Sequence, residues 1–157
     1  MYVIQQYQWA ALAEQQHAQL KALLLAADPS WEQICTYLFQ ANIFVMLNEK
    51  NEIVAQLCLL QDHNQAEIKN LAVAQQYQGQ GLAKALIQHA IENARQLAVQ
   101  TLWVKTGNSS LDQLALYQKC GFRMSHIEPD VFKDYPEPIY ENGIHCLDQV
   151  VLSLKLS

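Results

Sequence analysis

Long hydrophobic runs are missing from this 157-residue chain, and no stretch approaches the ~20 apolar residues that span a bilayer. No membrane partner is therefore expected. The first ten residues, MYVIQQYQWA, have neither the basic stretch nor the apolar run of a secretory leader. Charge is also sparse, at 16% against 51% hydrophobic residues, so the chain should bury a core rather than stay disordered. Paired cysteines are absent too. Cys35, Cys58, Cys120 and Cys146 form no C-x-x-C motif, and the first two sit in apolar segments. Free thiols in a reducing cytoplasm are the expectation. Cys120, His126, His145 and Cys146 match no common zinc-ligand spacing, so no metal is expected.

What charge there is lies unevenly. The chain carries a net −5, and the segment Ile127 to Asp148 holds six acids against the single base Lys133. The remainder is balanced. Nucleic acid would want a basic face, so that class of partner is not expected. The acidic segment fits a cationic substrate, although a solvated acidic loop gives the same composition.

Repeats and low-complexity linkers are absent, and the whole of 1–157 reads as a single domain. Trp9 to Ala27 has helical spacing, with Leu12, Leu20, Leu23 and Leu24 on one stripe, ended by Asp28-Pro29. Ser30 can cap a second helix through Gln40, with Gln33 at capping-box spacing. Three extended runs follow, Asn42 to Leu47, Ile53 to Leu60 and Ala66 to Val73. Their short polar connections predict an antiparallel meander. Past Gly81 the period changes: Leu82, Leu86, Ala90, Ala94 and Leu97 predict an amphipathic helix. Thr101 to Thr106 reads as a strand, paired in parallel through a right-handed crossover. A short helix through LDQLALYQK, the strand FRMSHI, a loop over 128–143 and a last strand LDQVVLSLKL complete the pattern. The expected class is α+β (α/β), with a mixed, mostly antiparallel central sheet flanked by helices.

Two of the five glycines, Gly79 and Gly81, stand one residue apart at the predicted helix entry. A strand, a glycine loop and a helix N-terminus in that order form an anion site, because the first helical amides lack internal partners. Two phosphate-binding motifs fail against it. The loop has neither the glycine spacing of a P-loop nor a hydroxyl after Lys84, and a dinucleotide fingerprint would need glycine at Lys84. Instead, Gln78-Gly79-Gln80-Gly81-Leu82-Ala83 resembles the (Arg/Gln)-x-x-Gly-x-(Gly/Ala) signature of the GCN5-related N-acetyltransferase (GNAT) superfamily. The preceding EIKNLAV resembles that family's fourth strand, and LALYQKCGF (Leu114 to Phe122) its last helix and turn.

The resemblance implies acetyl-CoA as cosubstrate and a primary amine as acceptor. Its pyrophosphate would lie on the amides of Gln78, Gly79, Gln80, Gly81, Leu82, Ala83 and Lys84. The pantetheine arm would extend the sheet along Leu71, Ala72 and Val73, where the family's fourth strand splays from the fifth. Asn108 is a candidate cofactor contact with Ser110 as its alternative, although a turn residue beside Gly107 explains Asn108 equally well. The acceptor side would be formed by Trp9 to Gln40 and Glu128 to Gly143. Dimerisation through the final strands is common in the family. A non-catalytic module that only senses acyl-CoA is the competing expectation.

Acetylating an amine demands a neutral nitrogen, and an aliphatic ammonium costs about 4.6 kcal/mol to neutralise at pH 7. The resemblance makes Glu67 the proton acceptor, directly or through water. A solvated glutamate at a strand start is the plain alternative. Tyr117 would donate toward the departing thiolate, a transfer uphill by roughly 2 kcal/mol in isolation but aided as charge develops on sulfur. The alternative is a tyrosine packed beside Phe122. The five histidines fall on separate elements. Direct attack on the thioester, without an acyl-enzyme, is the expected mechanism.

Overall fold

The structure, a computed structural model, describes residues 1–156. Along the chain come β1 (Val3–Tyr7), α1 (Glu14–Ala27), α2 (Trp31–Cys35), β2 (Asn42–Leu47), β3 (Ile53–Asp62) and β4 (Gln65–Val73). They are followed by α3 (Leu82–Gln96), β5 (Thr101–Gly107), α4 (Leu111–Lys119), β6 (Arg123–Glu128), β7 (Tyr140–Glu141), β8 (Ile144–His145) and β9 (Gln149–Lys155). Seven strands form one sheet in the order β1-β2-β3-β4-β5-β9-β6, and β7 pairs with β8 as a separate hairpin. Every pairing in the large sheet is antiparallel except β4 with β5. This is the mixed, mostly antiparallel α/β arrangement expected.

Helices cover both faces of the sheet. On one, α1 and α2 pack Leu20, Leu24, Ile34 and their neighbours against Ile43, Val45 and Cys58. On the other, α3 and α4 pack Leu86, Ile87, Ala90 and Tyr117 against Leu57, Ile68, Leu102 and Leu152. Each fully buried Leu or Ile stabilises by about 1.5–3 kcal/mol, so both faces are strongly specified. Leu97 leaves the expected stripe: it is the C-cap of α3 and largely exposed.

Several boundaries differ from the sequence reading, each for a local reason. The first helix starts at Glu14 rather than Trp9, because the Ala13 amide donates to Gln16 Oε1 at 3.1 Å. Trp9 instead opens a 3-10 turn and stacks its ring on His17 at 4.2 Å. The second helix stops at Cys35 and continues as turns toward Gln40. Ser30 caps it as expected, its Oγ accepting from the Gln33 amide at 3.2 Å. Strand β1 gave no sequence signal. Its polar, mostly exposed residues are ordered by backbone pairing with β2, from Val3–Leu47 to Tyr7–Ile43.

One irregularity positions everything that follows. Between Cys58 and Leu59 the β3–β4 register shifts, leaving Lys69 as an extra residue on β4. The bulge reverses the alternation of side chains. Ala66 and Ile68 join the α3 core, and after the bulge Leu71 joins it too. Asn70 points to the opposite face, where Ala72 packs against the α1 core. Glu67 and Lys69 therefore share a face with Asn70 and Ala72, not with Leu71 and Val73 as uninterrupted alternation would place them.

Candidate active site

The parallel pairing of β4 with β5 runs from Gln65–Thr101 to Ile68–Val104 and then ends. Beyond it the strands part, while β4 stays paired to β3 through Leu71, Ala72 and Val73. The β4 edge facing β5 is thus left without a strand partner, open to an extended ligand that can complete the ladder. A cavity of about 340 Å³ fills the gap, reached by Lys69, Leu71, Lys105, Ser110, Tyr117 and Glu141. A second, also about 340 Å³, continues over the glycine loop to Lys84 and Leu116. Leu71, Ala72, Val73, Gln78 and Gln113 line both, so the two form one groove.

A buried polar network holds the parting strands. Gln56 Nε2 donates to Asn70 Oδ1 at 2.6 Å. Asn70 Nδ2 donates to the Leu24 carbonyl at 3.2 Å and to the Tyr37 hydroxyl at 3.0 Å. The bulge is thereby tied to the end of α1 and to the turns after α2. Burial pushes the Tyr37 phenol up, with the Asn70 hydrogen bond opposing, so it stays neutral in the network. Nothing in a periodicity argument singles out Asn70. It is one of four polar residues in β4, with Gln65, Glu67 and Lys69, and burial in the fold is what sets it apart.

At the glycine loop, Gly79 and Gly81 both adopt the left-handed region, with φ of +79° and +80°. The amides from Gly79 to Lys84 donate no hydrogen bonds among the described residues. Three side chains brace the loop from outside. Gln78 Nε2 donates to the Val73 carbonyl at 3.1 Å, Tyr2 Oη donates to Gln80 Oε1 at 3.0 Å, and Tyr2 meets Tyr77 edge-to-face. Consecutive free amides at a helix N-terminus fit a pyrophosphate. Gln78 contributes its side chain to the brace.

Tyr117 stands on α4 and is only 5% exposed, packed edge-to-face against Phe122 at 5.8 Å. It lines the cavity, and its hydroxyl makes no hydrogen bond among the described residues. Burial pushes its phenol well above the ordinary range, with a smaller push from Cys120. It is therefore a proton donor at every physiological pH. Four residues earlier, on the same helix face, Gln113 lines the groove with a buried Oε1 that has no partner among the described residues.

Glu67 lies beside this cavity rather than in its lining. It is in register with Trp103 and Leu60, and its carboxylate pairs with Lys69 Nζ at 3.3 Å. Lys69 does reach the cavity. Asn108 does not line the groove. Its Oδ1 accepts from the Leu147 and Asp148 amides at 2.9 Å each, and its Nδ2 donates to the His145 carbonyl at 3.1 Å. With these atoms satisfied by backbone, Asn108 serves as a clamp on the approach to β9. Ser110, the alternative, does line the cavity.

The profile of the Acetyltransferase (GNAT) family matches residues 6–122. The chain belongs to this family. This GNAT chain is 42% identical over 147 residues to the uncharacterized N-acetyltransferase YvbK of Bacillus subtilis, covering 92% of the chain and 94% of that relative. It superposes on a Bacillus subtilis acetyltransferase in complex with CoA with a TM-score of 0.89 and 38% identity, each chain covered in full. A GNAT acetyltransferase from Elizabethkingia anophelis with acetyl-CoA bound gives 0.88 and 39% identity, over 99% of this chain and 98% of that one. Homologous GNAT structures thus carry the acetyl donor or its product, consistent with acetyl-CoA as cosubstrate here. Among the described residues of this acetyltransferase, no three His, Cys, Asp or Glu side chains gather as metal ligands would. No described helix is long and apolar enough to cross a membrane.

Proposed function

We propose that this protein transfers the acetyl group of acetyl-CoA to a primary amine of a small molecule or protein by direct attack on the thioester. The observation that carries the reading is the groove. It joins free amides at a helix N-terminus, an unpaired strand edge and an unengaged phenol along one continuous line. The amides of Gly79 to Lys84 hold the pyrophosphate, since the Gln78 amide is spent on the Gln75 carbonyl at 3.3 Å, and Leu71, Ala72 and Val73 receive the pantetheine arm as an added strand. Tyr117 donates to the sulfur as it leaves. That contact strengthens as the thiolate forms and so lowers the barrier. Glu67, ion-paired with Lys69, takes the acceptor's proton directly or through a water. The free thiols suit the cytoplasm as the site of action.

The test is thiol release from acetyl-CoA across a panel of primary amines, with product masses measured. An acetylated amine appearing in step with the thiol is the expected result. Thiol release that no amine stimulates, in protein that still binds CoA, overturns the reading.

A further inference from the structure

Of the six acids between Ile127 and Asp148, Glu141 is the one that reaches the cavity between β4 and β5. It belongs to the small hairpin of β7 and β8, which the Asn142 side chain docks by donating to the Ser109 carbonyl at 2.9 Å. The Glu141 Oε1 atom accepts from Ser109 Oγ at 3.1 Å and from Ser110 Oγ at 3.0 Å. Ser110 is the N-cap of α4, yet its hydroxyl makes no cap hydrogen bond and is spent on Glu141. Both hydroxyls hold one oxygen, leaving Oε2 for a ligand.

The charges around the cavity make this carboxylate decisive. Two cations line it, and each is paired with a carboxylate set back from the lining: Lys69 with Glu67 and Lys105 with Glu128, both at 3.3 Å. Glu141, in contrast, is held by neutral hydroxyls and has no cationic partner among the described residues. The unbalanced charge that an entering acceptor meets is negative. Tyr117 lines the same cavity, so a ligand held by Glu141 is also near the phenol assigned to the leaving thiolate.

We propose that Glu141 is the acceptor-selecting residue of this enzyme: its carboxylate draws the acceptor in as a cation and pairs with its ammonium inside the cavity. This rests on the acetyltransferase reading above. The acceptor class it selects is the aliphatic primary amine, charged at neutral pH, over arylamines, which are neutral there. Proton removal remains with Glu67, so the two carboxylates act at separate kinetic steps.

The test is Glu141→Gln, which keeps an oxygen for both serine hydroxyls and removes only the charge. At saturating acetyl-CoA, KM for the most active alkylamine should rise about 5- to 50-fold, the range between an exposed and a well-formed ionic hydrogen bond, while kcat moves much less. Added salt should raise that KM in the unaltered protein and leave it flat in the variant. Any arylamine turnover should be unaffected by the substitution. The melting shift induced by CoA should be the same in both proteins, showing that the hairpin and groove persist. An alkylamine KM within twofold of the unaltered protein's, or a salt response that survives the substitution, overturns this proposal and leaves the acetyltransferase reading standing. Unaltered protein that binds CoA but acetylates no amine overturns both.

Discussion

Ile68 faces Val104 as the last residue pair joining β4 to β5, and the gap that opens beyond it is the groove. The bulge at Lys69 comes at the next residue of β4, and Asn70 then anchors the strand to α1. Strand separation here is built into the backbone of the free protein. The cost of opening the sheet is met during folding, not during ligand binding.

Coenzyme A should stabilise the fold through the glycine loop. Binding to the native state alone adds about 2.7 kcal/mol at 100 times Kd, visible as a rise in Tm. Gly81→Val should remove that rise, because a branched residue cannot hold φ of +80° without strain, and relaxing it moves the free amides. A shift of equal size in the variant would place the phosphates elsewhere.

Tyr117→Phe should lower kcat with little change in acceptor KM, the mark of an interaction made in the transition state. Its pH behaviour follows from burial. The folded phenol ionises above the ordinary tyrosine value, so below about pH 10 both folded and unfolded chains keep the proton and stability is unaffected. As pH rises past about 10 the unfolded chain loses the proton first, and stability falls. Urea midpoints measured across that range should decline less steeply in Tyr117→Phe than in the unaltered protein. Parallel declines would mean that the phenol is not desolvated.

Glu67→Gln keeps the shape and removes the base. The rate at neutral pH should drop by ~10²–10⁴ and recover at high pH as the amine loses its own proton. Affinity for CoA should be retained. Near-normal activity would show that the proton leaves by another route, and would end the assignment of Glu67.

Asn108→Ala separates a clamp from a cofactor contact. Losing the bonds to the Leu147 and Asp148 amides and the His145 carbonyl leaves backbone groups unpaired, at about 1–3 kcal/mol of stability. Denaturant midpoints should fall accordingly, while Kd for CoA, measured by calorimetry well below the new midpoint, should stay within about threefold. A large loss of CoA affinity with stability intact would return Asn108 to the groove.

The amino-acid sequence by itself determined the elements whose causes are local. Apolar residues four and three apart from Leu82 to Ala94 dictate α3, Ser30 caps α2, and short polar turns dictate the β2–β3–β4 meander. Gly79 and Gly81 mark the anion loop because left-handed backbone favours glycine over other residues. Tyr117 could be named because the motif around it is contiguous. Tertiary structure decided the rest, through contacts between residues far apart in sequence. Strand β1 exists only because β2 offers it an edge. The bulge at Lys69 puts Leu71 on the face opposite Glu67, and it is set by pairing with β3. Its place after β5 suits Asn108 equally to a ligand contact or a turn, and residues some forty positions later satisfy its side chain. Glu141 was one acid in an acidic run until the hairpin carried it to Ser109 and Ser110. Local spacing fixes which backbone a segment prefers, whereas the partner of a polar side chain is fixed by whatever the completed fold brings within about 3 Å of it.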